Sequence, residues 1–575
     1  MTSYYYSISS DFKNADQVNT VVLQNAIDAD ATISVDATYI TANIIDGGTT
    51  GATGTVEINF PSELSTGPTG QEQALDTLIN NYTYASVSPQ AQTPGYDAFV
   101  SNNVNYPGDY TSVAAAFADG KSSVYVKNGT YIETSDIVVP DGGQLMGETP
   151  GSVVIALVAG HSVKIDGSGG VKETAGTITI ANDSNGVTGA GTSFTNLSVG
   201  NLILLGTNYY EIKTIDSDTH VTLTDTYKGK TLTNMTYQAQ AMDTGSRIQN
   251  LIIASSPGTG LYVRALRHGN LKSIAVTRCS KGVELIDCGD LSIHEIIPTF
   301  STNTGITIDT CVSLSLHTIN VFGGGSNGID VKGNSLNIIF ESCAYENNNG
   351  YGISISDSSQ FVNIIDSTVK YNNSVGIHGA SGTMCNTVSN CEISNNTGMG
   401  IHYESINTII SDCFIIRNGA TGLCIGGCNT VEGNVVSDNS GGGIVIPAAS
   451  ESCVVSDNNI RNCGSDGLQI LSAHNSISNN LVKNSSGYGI YIDGNKNVIS
   501  SNNINEGGGV GVYLTGNTTN NIITANICCE NEGNGLELGT GAEKNIVTSN
   551  NIVGNTGTNY VDNGTGTVET ANITN

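Results

Sequence analysis

From Gly260 onward, a glycine followed by an apolar residue, a variable one and usually a second apolar one returns at a nearly constant interval. The markers are Gly260, Gly282, Gly305, Gly328, Gly352, Gly376, Gly400, Gly422, Gly443, Gly467, Gly489, Gly511 and Gly535, spaced by 21 to 24 residues. Asn559-Tyr560-Val561 is a last, degenerate copy. A repeat this short cannot bury its own apolar face, so neighbours must stack. A leucine-rich repeat would show several leucines and a fixed asparagine per period. Here Ile and Val alternate instead, as in Gly352-Ile353-Ser354-Ile355-Ser356, the pattern of a strand buried on one face. A second alternating stretch follows in each period, for example 497–504. Several short strands per turn, with no helical periodicity between them, predict an all-β chain: a right-handed parallel β-helix whose coils take 21–24 residues.

Asparagine keeps the same beat at Asn459, Asn480, Asn503, Asn526 and Asn550. Stacked amides hydrogen-bond along a ladder, and Asn tolerates the left-handed conformation of tight turns, so a structural role is expected. The 70 glycines, the absence of Trp and the 13% charged content suit many short strands better than a helical enzyme. The net charge of −30 repels phosphate backbones and anionic lipid, which argues against nucleic-acid and membrane partners. No run of about 18 apolar residues occurs, and 1–18 lacks the apolar core and basic flank of a signal peptide. All 13 cysteines fall between Cys279 and Cys529 with no CxxC pair. They are expected to be buried reduced thiols serving as small hydrophobes, made in a reducing cytosol.

Upstream, Asp109 to Ala118 reads as an amphipathic helix with Val113, Ala114, Phe117 and Ala118 on one face. It precedes Ser123-Val124-Tyr125-Val126-Lys127-Asn128-Gly129-Thr130-Tyr131, Ile137-Val138-Val139-Pro140 and Gln144-Leu145-Met146-Gly147. A helix, a strand ending in a Gly-Thr-Tyr turn and then the first coils resemble the capped opening of the pectate-lyase-like superfamily, over roughly 97–165 and 246–575. A cap is physically required, because an open coil exposes strand edges and core. Between about Gly167 and Met242 the beat is lost and hairpin-like strands appear: 176–180, 202–205, 209–212 and 221–224. Val187-Thr188-Gly189-Ala190-Gly191-Thr192-Ser193-Phe194 resembles a small β-domain of phage tail fibres and spikes. The expected organisation is therefore a small α/β amino-terminal attachment or oligomerisation module (1–95), a cap with first coils (96–166), an inserted small β-domain (167–242) and the repeats (243–575). In the first module, Gln71 to Tyr82 reads as a helix and Thr55 to Phe60 as a strand.

Phosphate loops, HExxH, zinc-type Cys/His spacing and GxSxG are all absent. Candidate chemistry must then follow the coil. Residues two after each marker glycine should point outward and stack in a row that includes Asp330, Ser354, His378, His402, Cys424, Tyr491 and Tyr513, with His378 and His402 on adjacent coils about 5 Å apart. Asp309, Lys332 and Glu404 sit four after their glycines, and Asp366, Lys370 and Tyr371 lie on a nearby strand or turn. A site built from Asp330, Lys332, Asp366, Lys370, His378, His402 and Glu404 would suit acid–base work on a sugar. The plainer reading is an outward row that is polar because it is solvated. No third ligand for the His pair can be placed from the pattern, so neither a metal nor another cofactor is expected. Tyr491 and Tyr513 would stack against sugar rings.

The pectate-lyase-like superfamily includes lyases, polygalacturonases, mannuronan epimerases, tailspikes and repeat proteins without known activity. No middle coil pairs an Arg with clustered Asp as its lyases do, and the Asn-x-Asp and Asp-Pro-His-Arg signatures are missing from the coils. Gly376-Ile377-His378-Gly379 only echoes the Gly-His-Gly of polygalacturonases. The expectation is a virion-type surface spike, a homotrimeric rod that binds glycan and is made without a signal peptide. The alternatives are a polysaccharide hydrolase, lyase or epimerase, with an extracellular location as the alternative to the virion, and a purely structural virion component.

Overall fold

In the computed structural model the described residues are 96–574, apart from 105–106, 159, 168–172, 207, 241 and 255–256, together with three strands nearer the amino terminus. Those strands, Ser3–Ser7, Thr32–Asp36 and Val56–Asn59, pair in parallel. The predicted helix from Gln71 to Tyr82 lies outside the described residues. The chain forms two compact units, Met1–Lys164 with Ser246–Leu261 and Leu271–Ser280, and Ile165–Gly245 with Tyr262–Asn270 and Lys281–Asn575.

In the first unit the helix is Val113–Ala118, four residues shorter at its start than the apolar pattern predicts. Polar contacts set that boundary. The Asp109 carboxylate accepts from the Phe99 N–H at 2.9 Å, and Tyr110 bridges to Val100 in strand fashion. The Ser112 hydroxyl caps the helix by accepting from Ala115 N–H at 3.1 Å. The buried Glu133 carboxylate accepts from Val113 N–H at 2.6 Å and Ala114 N–H at 3.3 Å. It satisfies two of the amides that a helix start leaves open. Strands Ala98–Val100, Ser123–Val126, Gln144–Gly147 and Arg247–Ala254 then stack in parallel, Arg247 opposite Gln144.

The second unit begins with seven antiparallel strands between Thr177 and Gln240 around Ile178, Val187, Phe194, Ile203, Ile212 and Val221. The Arg267 guanidinium reaches Glu211 on this sheet at 3.1 Å. From Lys281 the chain winds as a right-handed parallel β-helix with three strands in most coils. The first strand ladder runs through Ile306–Asp309, Ile329–Lys332, Ile353–Ile355, Ile377–Gly379, Ile401–Tyr403 and onward to Tyr560–Asp562. A second ladder holds Gln360–Ile365, Thr387–Ser389 and Ile409–Ser411, and a third holds Thr368–Lys370, Glu392–Ser394 and Phe414–Ile416. Inward residues such as Ile353, Ile377 and Ile401 are fully buried, while the residue between each inward pair faces out. The marker glycines follow from this stacking. A Cβ on Gly376 would lie 2.6 Å from the Gly400 carbonyl oxygen and 2.7 Å from the Ile393 side chain.

The corner between the second and third strands carries a buried asparagine row: Asn434, Asn458, Asn480, Asn502, Asn526 and Asn550. Each side-chain amide donates to the next Oδ1, at 3.0, 2.9, 3.0, 3.0 and 3.0 Å in turn. The same Oδ1 accepts the backbone N–H of the preceding Asn, at 3.0 Å for Asn434 and 3.1 Å for Asn458. Asn459 and Asn503, expected in this row, instead begin the adjacent third strands. Asn458 and Asn502 hold the buried corner in their place. Just before it the chain turns through a left-handed residue, Asp457, Asn479, Ser501, Ala525 or Ser549, which Asp and Asn tolerate best. Upstream the row continues as Cys413, whose N–H donates to Asn434 Oδ1 at 2.9 Å. Ten of the 13 cysteines are buried and none is in a disulfide.

Asn480→Ala should strip two donors of Asn458 of their acceptor, costing roughly 2–5 kcal/mol in a denaturant melt. Asn462→Ala, which removes exposed hydrogen bonds with Asp438 and Asn484 at 2.9 Å each and puts Ala at a left-handed backbone position, should cost about 1 kcal/mol, less than the buried change.

Candidate functional site

The outward row of the first ladder is in the register that the repeat predicts. Thr307 pairs with Asp330, Asp330 with Ser354, Ser354 with His378, His378 with His402 and His402 with Cys424. Farther along, Gln469 pairs with Tyr491 and Tyr491 with Tyr513.

The seven candidate acid–base residues do not form one site. Asp330 is two coils from His378 and already bonded: Thr304 Oγ1 donates to it at 3.0 Å and Asn327 Nδ2 at 2.6 Å. Lys332 is ion-paired with Asp309 at 3.4 Å. Asp366 is an exposed left-handed corner residue beyond the second strand, bonded to Asn390. Lys370 lies on the third ladder, ion-paired with Glu346 at 3.4 Å, with its ammonium 5.9 Å from the Tyr371 ring. Burial raises the Glu346 carboxyl, and Lys370 pulls it back. A linear period gives the row within a strand but not which of three ladders a residue joins, so Asp366 and Lys370 fall on other faces.

What remains together is His378, His402 and Glu404. One donor atom from each lies within 4.8 Å of the others. Glu404 thus stands where a third ligand for the His pair would lie, a position the pattern alone does not give. The two imidazoles meet edge to face, centroids 5.5 Å apart at 61°. Tyr351, not expected from the sequence, stacks on His378 at 4.7 Å and 10°. Burial, and then the second imidazole, hold His378 below the usual histidine range, while Glu404 opposes this. The Cys424 thiol is pushed up to about 11, first by burial and then by the Glu404 charge. Gly379 beside His378 has a packing origin: a Cβ there would meet the Tyr403 ring at 2.1 Å.

A second cluster joins Tyr491 and Tyr513 to Tyr488, which the sequence reading missed. Tyr488 stacks on Tyr513 at 4.9 Å and 12° and lies 5.5 Å from Tyr491, and Tyr491 and Tyr513 are 6.0 Å apart. Both missed rings obey one rule. A residue just before a marker glycine (Tyr351 before Gly352, Tyr488 before Gly489) lies over the outward residue of the following coil. The sequence signal was therefore present at the position preceding each glycine. Asp466, which also precedes a marker glycine, accepts the Tyr488 N–H at 2.8 Å. Burial foremost raises the Tyr488 and Tyr491 phenols, with nearby acidic groups adding to it.

A family model described as right handed beta helix region matches residues 239–387, 305–451 and 442–575. Among solved structures, the chain is similar to the tailspike of Acinetobacter baumannii bacteriophage AP22 in complex with capsular saccharide, at 11% identity and TM-score 0.37, over 80% of this chain and 74% of that one. It is similar to a mannuronan C-5 epimerase A-module of Azotobacter vinelandii at 14% identity and TM-score 0.26, over 80% and 93%. The tailspike of Pseudomonas phage LKA1 is similar at 14% identity and TM-score 0.30, over 77% and 75%. At these scores none of the three bears on function. No curated protein matches the chain.

Proton NMR of the imidazoles should find His378 titrating below the usual histidine range. Glu404→Gln should move it lower still, because the lost carboxylate favours the charged ring, and His402→Ala should move it higher.

Proposed function

Because the chain belongs to the right handed beta helix region family, we propose that it is a virion-type surface spike that binds a glycan along the outward row of its first ladder. The observation that carries this reading is the Tyr488, Tyr491 and Tyr513 cluster, three half-buried rings in contact on one strand face. Tyrosine presents an apolar ring face to a sugar and a hydroxyl to its polar edge. The cluster lies four strand spacings beyond His402, about 19 Å at ~4.8 Å each, so an extended oligosaccharide can follow the row. Asp466, Asp493 and Glu537 surround the rings electrostatically. That sign disfavours acidic polymers and points to a neutral polysaccharide. In this reading 1–95 attaches the chain, 96–166 caps it, 167–242 is a side domain and 243–575 carries the glycan.

Self-association as a trimer is part of the proposal. On the second ladder the outward positions Ile409, Val454, Val498, Ile546 and Val568 are exposed and share one register row with Ile522 and the polar Thr430 and Ser476. A mainly apolar row on a strand face is what a second copy would cover. Sedimentation should give three times the 59.5 kDa chain mass; a monomer at micromolar concentration contradicts this part.

A second reading, polysaccharide hydrolysis, elimination or epimerisation, is favoured by the imidazole of His378 and the carboxyl group of Glu404, whose polar atoms lie within 4.8 Å of each other. A panel of neutral and acidic polysaccharides separates the two. Binding without turnover, weakened roughly tenfold or more by Tyr491→Ala or Tyr513→Ala, is the expected result. New reducing ends or unsaturated uronates, lost in His378→Ala, would make the chain an enzyme instead. No binding to any member removes the glycan reading.

A further inference from the structure

We propose that His378, His402 and Glu404 bind one divalent transition-metal ion of the zinc type. The two imidazoles come from adjacent strands whose register is fixed by the coil, His378 opposite His402, and Glu404 follows the end of the second strand, two residues beyond His402. Their ligand atoms lie within 4.8 Å of one another, and small side-chain rotations close this to the about 3.3 Å between donors around a tetrahedral ion with ~2.0–2.1 Å bonds. Two imidazoles and a carboxylate suit zinc, cobalt or nickel. Calcium and magnesium prefer all-oxygen sets.

Among the described residues, no hydrogen bond or ion pair engages the side chains of His378, His402 or Glu404. Other ionisable side chains of the same face are occupied: Asp330 by Thr304 and Asn327, Lys332 by Asp309, Glu537 by Asn534 at 2.7 Å. The fold even contains an internal contrast. His294, His317 and Glu341 also stand in one register row. There, however, His317 Nδ1 meets Glu341 at 3.0 Å and His294 Nε2 meets the Ser292 hydroxyl at 2.7 Å. One row of two histidines and a glutamate closes on itself, and the other leaves its donors open.

The surroundings fit an ion. Tyr351 stacked on His378 fixes that ring's plane, as partners around metal ligands do. Three protein donors on an outward face leave the remaining positions to water or to a ligand oxygen. The chain's net charge of −30 raises the local concentration of cations. The site does not depend on the glycan reading and stands or falls separately from it.

The test is calorimetric titration of the EDTA-treated full chain with Zn²⁺, repeated with Co²⁺ and followed by visible absorption. One ion per chain is expected, with affinity falling about 100-fold or more in His378→Ala and His402→Ala. Glu404→Gln should weaken binding about tenfold, and because Glu404 is exposed this variant carries the test even if a histidine variant fails to fold. His317→Ala should leave the affinity unchanged. Absence of binding tighter than about 1 mM overturns the proposal. So does binding that persists in all three variants, as binding by the exposed Cys428 thiol would.

Discussion

A coil that closes on itself must turn its backbone at corners inside the protein, where water cannot take up the freed amides and carbonyls. In this chain that requirement is met by side chains. Asn458, Asn480, Asn502 and Asn526 sit at successive corners, and each oxygen accepts both the side-chain amide and the backbone N–H of the coil before it. Each amide also donates to carbonyls, as Asn480 does to Val455 and Ser478 at 2.9 and 3.1 Å. One residue per coil thereby satisfies groups on three chain segments. Strand pairing, the apolar filling and the stacked glycines all presuppose that these corners hold. Where Cys391, Cys413 or Ser367 stands in the row instead of Asn, a smaller side chain makes fewer hydrogen bonds at the corner.

Once the corners fix the register, the outward positions carry little structural burden. Residues as unlike as Asp330, His378, Cys424 and Tyr513 occupy the same row without disturbing the coil. One residue per coil can therefore vary on this face, and two kinds of surface result: a cluster of two imidazoles and a carboxyl group near His378 and an aromatic one near Tyr491. Their common geometry, a residue before one marker glycine lying over the outward residue of the next coil, comes from the fold rather than from either ligand.

The coil was legible in the sequence because strand alternation and the glycine beat both report burial directly. The asparagine row was displaced by one at two coils for a physical reason. Asn458-Asn459 and Asn502-Asn503 are pairs, both members keep the period, and only burial tells the corner residue from the strand residue. The same limit governed the site. Period placed His378, His402, Tyr491 and Tyr513 in their row, but could not tell that Asp366 and Lys370 belong to other ladders. Tyr351 and Tyr488 were missed because they precede the glycine, and their rings reach across to the following coil. The helix start at Val113 rather than Asp109 depended on Glu133, twenty residues downstream in sequence.

Coil-to-coil contacts alone set the rows in which the outward residues stand. Excising one coil, Gly443 through Asp466, tests it most directly, read by far-UV circular dichroism and a denaturant melt. The account predicts a folded chain with the same β signature and a single cooperative transition, Asn434 now stacking on Asn480 and Cys424 on Gln469. A chain that loses its β structure, while excision of a half coil is no worse, would contradict it.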